Sequence, residues 1–458
     1  MSRLLVLLAF CTAAFAAEQV DWIIHARTIV TMDDSRRIIE NGALAIRGRN
    51  IAAIGPRAEI DRNYTAPHIL DKPDALIAPG LIDTHTHAPM SLLRGIADDR
   101  RLQDWLESYI FPAEARNVSP DFVRWGTRLA CYEMLLSGIT TYTDMYYFED
   151  IEAETAKEIG IRGVLGQSVI GFPAPDYKTW QAAVAGADRF ILRFRNDDLI
   201  TPAVAPHAIY TTPNEALKAA HELATKYKVP LLIHVAETSK EREDSLKQRG
   251  LTPVEALEKL GILDGRVVAA HSIWVDSNDQ QILKRHNTGV AHCPSSNTKL
   301  ASGIAPVTEM LKLGINVGVG NDGFAGSNDS ADLLRELDLA AKLQKVNRMD
   351  PTALPAEQAF AMATIGAARV LGLDHEIGSL QPGKRADFFS ISLAESRAVP
   401  IYDTYSFLAY SAHSGDIEDV FINGRQIVSK RRVLTIDQKD TFQHALALQK
   451  QILASLKH

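Results

Sequence analysis

Two histidines one residue apart, His85 and His87, close the apolar run Leu81-Ile82-Asp83-Thr84-His85-Thr86-His87. Side chains alternate along a strand, so both imidazoles leave one face, about 6–7 Å apart. Two neutral imidazoles so placed can share one divalent cation of the zinc class. The same residue types recur after later apolar runs, at His207, His234, Glu237, His271, His292 and Asp322. Whether they form one site depends on the elements that carry them.

The chain has 458 residues, 46% of them apolar, and a net charge of −7, which fits an enzyme-sized globular protein and argues against nucleic-acid binding. Its first residues read as a signal peptide, 1–16. Arg3 gives the positive region, Leu4 to Phe10 the apolar one, and Ala14-Phe15-Ala16 the cleavage pattern. The apolar stretch is too short for a membrane span, so the mature protein is expected to be exported, periplasmic or secreted. Cys11 raises a lipoprotein signal, but Phe10 before it is too bulky, and simple export is the favoured reading. Cys131 and Cys293, both in apolar surroundings, are expected to be free buried thiols.

Short alternating strands occupy residues 20–76 and return in 376–432, with turns at Asn41-Gly42 and Asn423-Gly424. Between them, over 77–372, near-continuous apolar strands alternate with helix-period segments such as Pro213 to Lys228, for which Thr212 is the expected N-cap. That alternation predicts an α/β chain with a parallel sheet covered by helices. Eight such units fit a (β/α)8 barrel, a TIM barrel, with a small β-sandwich built from both termini. A polar-faced amphipathic helix is expected over 436–458. In such a barrel chemistry sits at the C-terminal strand ends, and six of the fourteen histidines fall there.

The chain resembles the amidohydrolase superfamily, and within it the 5-methylthioadenosine/S-adenosylhomocysteine deaminase and triazine-hydrolase branch. The resemblance is carried by Pro79 to His87, His234-Val235-Ala236-Glu237-Thr238, the run from His292 to Gly303, and Gly378 to Asp387. It implies that His85, His87, His234 and Asp322 bind one divalent metal ion, zinc first, with iron, manganese or cobalt as alternatives. Three imidazoles and one carboxylate leave a position for water, whose pKa falls to about 7. Glu237 would shuttle protons, while His271, with Asp322, would hold the attacked water or the developing charge. No lysine ends the fourth strand, where binuclear relatives carry a bridging carbamylated lysine, so the site reads as mononuclear. By the same resemblance Glu114 holds ribose hydroxyls and His207 contacts the purine ring. Trp105 could wall the pocket. Asp144 reads as a structural acceptor, and Ser295 and Asn297 as shaping the strand-seven loop.

The implied reaction is deamination of an adenosine-like nucleoside or related amino-heterocycle, metal-held hydroxide attacking the amine-bearing ring carbon with release of ammonia. A small N-heterocycle is the expected partner, and a helical outer surface would suit a homo-oligomer. One alternative is displacement of chloride or amine from a triazine-type ring, or opening of a cyclic amide. Another is a non-catalytic barrel scaffold, which would have lost some of these residues, yet all are present. Two departures from the family pattern bear on substrate. Asn321 stands for the usual threonine or serine in a strand-eight loop expected to border the pocket. The arginine that grips a homocysteine carboxylate has no placed equivalent, although Arg189, Arg193 and Arg195 lie in the right region.

Overall fold

The protein is described by a computed structural model covering residues 17–456, so the signal-like segment 1–16, with Cys11, lies outside the described residues. Eight buried strands build the barrel: β1 (Leu81–His87), β2 (Ile139–Tyr146), β3 (Arg162–Val169), β4 (Ile200–Pro206), β5 (Leu231–Val235), β6 (Val267–His271), β7 (Gly289–His292) and β8 (Val317–Val319). They pair in parallel and in chain order. The short strand Asp322–Gly323, just beyond β8, pairs with Thr86 and His87 of β1. Thr84 donates to the Val319 carbonyl at 2.9 Å, so the sheet closes on itself. A side chain at Gly320 would stand 2.9 Å from the His85 amide nitrogen; only glycine permits this approach.

Ile82, Met145, Val164, Ala203, Leu232 and Val268 fill the barrel interior. Several covering helices begin where a hydroxyl can take an orphan amide: Ser119 caps Pro120–Leu136, Thr179 caps Trp180–Phe194 and Thr238 caps Ser239–Arg249. Thr212 does not act as expected. The helix starts one residue later, at Asn214, without a side-chain cap, and the Thr212 hydroxyl turns to the Val169 carbonyl instead.

Strands from both termini join one continuous eight-stranded sheet, separate from the barrel. Trp22 and Phe421 lie three strands apart in that sheet, yet their rings meet at 5.4 Å. The sheet therefore curls over its own apolar core, which includes Ile24, Leu44, Ile77 and Phe388. A buried ion pair ties it to the barrel. Arg162, opening β3, donates to Asp387 at 2.9 Å and to Asn423 at 2.6 Å. The last helix, Gln438–Ser455, packs on Pro120–Leu136, with His444 stacked on Trp125 at 3.7 Å, and Ser455 bonds Asn117 at 2.8 Å. Among the described residues no helix is long and apolar enough to cross a membrane.

Candidate active site

The expected metal-type residues meet at the C-terminal rim. His85 and His87 come from β1, His234 from β5, and Asp322 from the turn after β8. His87 Nδ1 lies 2.8 Å from the Met145 carbonyl, and His234 Nδ1 lies 2.8 Å from the His207 carbonyl. A carbonyl only accepts, so both protons sit on Nδ1 and both Nε2 atoms present lone pairs. Those two Nε2 atoms face each other at 3.4 Å. Asp322 Oδ1 lies 3.4 Å from His85 Nε2 and 3.5 Å from His87 Nε2, and the buried His85 Nε2 has no hydrogen-bond partner. Buried lone pairs and a carboxylate converging without a proton between them repel, unless a cation is shared. The set fits one divalent ion.

Burial lowers the histidine pKa values: His85 falls to about 4, and His87 and His234 also fall. Burial would raise Asp322, but the His85 contact and the His271 charge hold it well below the ordinary carboxylate range. Neutral imidazoles and an ionised carboxylate are the protonation states that metal ligation requires. Ala236, His271 and Asp322 have φ of 51°, 69° and 65°, left-handed values that non-glycine residues adopt at a cost. This strain falls on the residues that aim the site.

Glu237 follows β5, with its Oε2 3.7 Å from His271 Nε2 and its buried Oε1 unpartnered. Burial, with Asp322 adding, raises its carboxyl to about 7. Burial would lower His271, but the Glu237 and Asp322 carboxylates outweigh it and raise the imidazole. Asn297 Oδ1 lies 2.9 Å from His271 Nδ1 and so fixes the ring. Glu241 is a residue that sequence reasoning missed. Its carboxylate accepts the Ala236 and Glu237 amides, each at 2.9 Å, and pins the turn that aims Glu237. Its spacing four residues beyond Glu237 was the available signal.

Glu114, His207 and Trp105 all line the pocket with His87, His234, Glu237 and Asp322. Glu114 is buried and accepts from the Tyr146 hydroxyl at 2.7 Å; burial raises its carboxyl to about 7. His207 Nδ1 is held at 2.7 Å by the Thr211 hydroxyl. Trp105 presents its ring, but its N–H donates to the Ala325 carbonyl at 2.7 Å. Tyr146, Phe111 and Tyr210 also line the pocket, although nothing in their sequence context marked them.

Other residues stand apart. His292 is buried with both ring nitrogens unpartnered, and it does not line the pocket. The strand-eight loop reaches the pocket through Asp322, whereas the side chain of Asn321 beside it turns away: it donates to Asp83 at 2.6 Å and is wholly buried. Arg189 and Arg193 stand on the exposed side of the helix Trp180–Phe194, where Arg193 pairs with Glu154 at 2.7 Å and Arg189 donates to the Tyr177 hydroxyl at 3.3 Å. Neither they nor Arg195 line the pocket. Asp144 accepts from the Thr86 hydroxyl at 2.7 Å and from the Ala88 amide, bracing β1 around His87. Cys131 and Cys293 are free and buried.

A family model described as "Amidohydrolase family" matches residues 76–427. The chain is 44% identical over 440 residues to 5-methylthioadenosine/S-adenosylhomocysteine deaminase 1 of Syntrophus aciditrophicus (strain SB), covering 96% of this chain and 99% of that protein. Among solved structures it resembles an adenosine deaminase from Xanthomonas campestris with bound zinc, at TM-score 0.94 and 34% identity, over 96% of this chain and 100% of the other. It also resembles an atrazine chlorohydrolase from Arthrobacter aurescens TC1 complexed with zinc, at TM-score 0.85 and 26% identity, over 93% and 100%.

Proposed function

Because this chain belongs to the amidohydrolase family, we propose that its barrel rim performs metal-dependent hydrolytic deamination of an adenosine-like nucleoside. The relatives named as deaminases of 5-methylthioadenosine and S-adenosylhomocysteine support that substrate class. The observation that carries it is the pair of Nε2 lone pairs facing at 3.4 Å beside Asp322, in one pocket with a buried Glu237 whose carboxyl is raised to about 7.

His85, His87, His234 and Asp322 would hold one divalent ion, with zinc, present in both similar structures named above, the favoured identity. When bound, such an ion lowers the pKa of water to about 7 and so supplies hydroxide at neutral pH. Glu237 takes one proton from the attacking water and gives it to the ring nitrogen, then takes the second, from the hydroxyl of the addition product, and gives it to the departing amine. The ring carbon gains oxygen, the exocyclic C–N bond breaks and ammonia leaves. His271, its Nδ1 held by Asn297, turns Nε2 toward Glu237 and, with Asp322, holds the attacking water or the charge that develops as it adds. Glu114 and His207 share the pocket with the metal-type residues, which favours a hydroxyl-bearing sugar joined to a flat base over a small triazine ring.

The test is ammonia release by the zinc-loaded protein from adenosine, methylthioadenosine, S-adenosylhomocysteine, guanine, cytosine and a pterin, with chloride release followed for a chlorotriazine. Release confined to the adenosine set, with an inosine-type product, is expected. Silence on that set with turnover of the chlorotriazine would overturn the nucleoside reading. We also read segment 1–16 as an export signal, from Arg3, the apolar run and Ala14-Phe15-Ala16. N-terminal sequencing of protein recovered from the producing cell tests this: an intact Met1 refutes it.

A further inference from the structure

A second groove adjoins the reaction pocket, and the two share Leu106, Phe111 and Tyr210 as walls. Phe172 meets Phe111 edge-on at 5.1 Å, and Phe111 in turn approaches His207 at 6.3 Å, so aromatic faces run from the base-contacting histidine to the groove. The groove's charged rim is Glu107, Asp244 and Lys240, with Glu241 below. Glu241 is spent on two backbone amides. Lys240, the one cation lining the groove among the described residues, is bound to Asp244 at 2.7 Å. Glu107 is exposed and reaches the Lys240 ammonium only at longer range, so Glu107 and Asp244 outnumber the one cation between them. Lys178, on the loop that carries Phe172, does not line the groove and donates to the Ala174 carbonyl at 2.9 Å. The arginines of the helix Trp180–Phe194 face outward, as described above.

Aromatic faces with an excess of carboxylate attract cations and accept neutral thioethers, but they offer a carboxylate no counter-charge. We propose that this groove is the subsite for the substituent at the far end of the substrate, and that it selects an uncharged or cationic group over one bearing a carboxylate. The inference rests on the nucleoside reading and sharpens it. Methylthioadenosine and aminoalkyl-thio nucleosides are substrates of choice, and S-adenosylhomocysteine is a poor one despite the name its relatives carry. Glu107 is a specificity-determining residue, and its opposition to a carboxylate is electrostatic.

The experiment compares kcat/KM of the zinc-loaded enzyme for three nucleosides that differ only at the far end. These are methylthioadenosine, S-adenosylhomocysteine and its decarboxylated counterpart, which keeps the ammonium. The expected ratio of S-adenosylhomocysteine to the decarboxylated compound is below one fifth; a ratio above that overturns the proposal. Glu107→Lys is expected to raise this ratio at least fivefold, and a smaller change removes Glu107 from the subsite. If none of the three releases ammonia, the nucleoside reading itself fails, a result distinct from three equal rates, which would discard only the selectivity.

Discussion

Glu237 is useful because its carboxyl is buried yet next to polar partners. Burial lifts it to about 7, where it can both take and give a proton at neutral pH. Glu237→Gln keeps the shape and loses the proton, so metal content should stay at one ion per chain while kcat falls at least about 10²-fold. Asp322→Ala removes a carboxylate that faces two imidazoles, so it should lose metal and activity together. Metal analysis beside ammonia release separates the two; full turnover in metal-loaded Glu237→Gln would sink the shuttle role. Glu241 acts one step back, by holding two amides of the turn. Glu241→Ala should retain metal and KM but lower kcat by roughly tenfold, with partial rescue by Gln, which can still accept one bond. An unchanged kcat would mean that the turn holds itself.

At the scale of elements, β2 and the helix after it, Glu149–Ile159, share a demand of their own. Asp144, Glu149 and Glu152 bring buried oxygens within 4.8 Å of one another. Burial raises all three, Asp144 to about 8, with mutual repulsion adding for the two glutamates. The folded chain therefore keeps protons that unfolded carboxyls release above about pH 4. Stability from these groups is present at low pH and is lost as pH rises from about 4 through about 8, by at most about 1.4 kcal/mol per pH unit for each proton. Urea melts between about pH 5 and 8 should give a slope that Glu152→Gln flattens; an equally steep variant would remove Glu152 as its source. The wall over the pocket makes a second demand. Residues 102–117 supply Leu102, Trp105, Phe111 and Glu114 to the lining, and the Trp105 N–H clasps Ala325. A side chain at Gly326 would sit 3.0 Å from the Ala97 carbonyl, at a φ of 94°, which is why glycine stands where this clasp closes. Trp105→Phe keeps a ring and loses the bond, so KM should rise severalfold with metal content unchanged; an unmoved KM would show that the clasp does not shape the pocket.

Across the whole molecule, Arg162 and Asp387 join barrel to terminal sheet, both almost fully buried. Arg162→Met strands the Asp387 carboxylate in the core and should cost about 3–5 kcal/mol in denaturant melts. Adding Asp387→Leu should recover most of that loss; no recovery would mean that the arginine matters for packing rather than charge. Parts of this design were legible in the residues themselves. Period-two histidines, apolar strands alternating with helices, and His234 three residues before Glu237 are local patterns, so the barrel and the polar groups at its rim could be read from the chain. The run ending in Asp387 was legible as a motif, but its purpose needed Arg162, 225 residues away. Likewise the facing of two Nε2 atoms, the retreat of Asn321 onto Asp83, the work of Glu241 and the clasp of Trp105 are contacts between separate strands and loops. A sequence determines which chemistry is present and the period that sorts it onto strand ends. Only closure of the barrel decides which lone pairs meet and which charges find partners, because those outcomes depend on distances that no local spacing encodes.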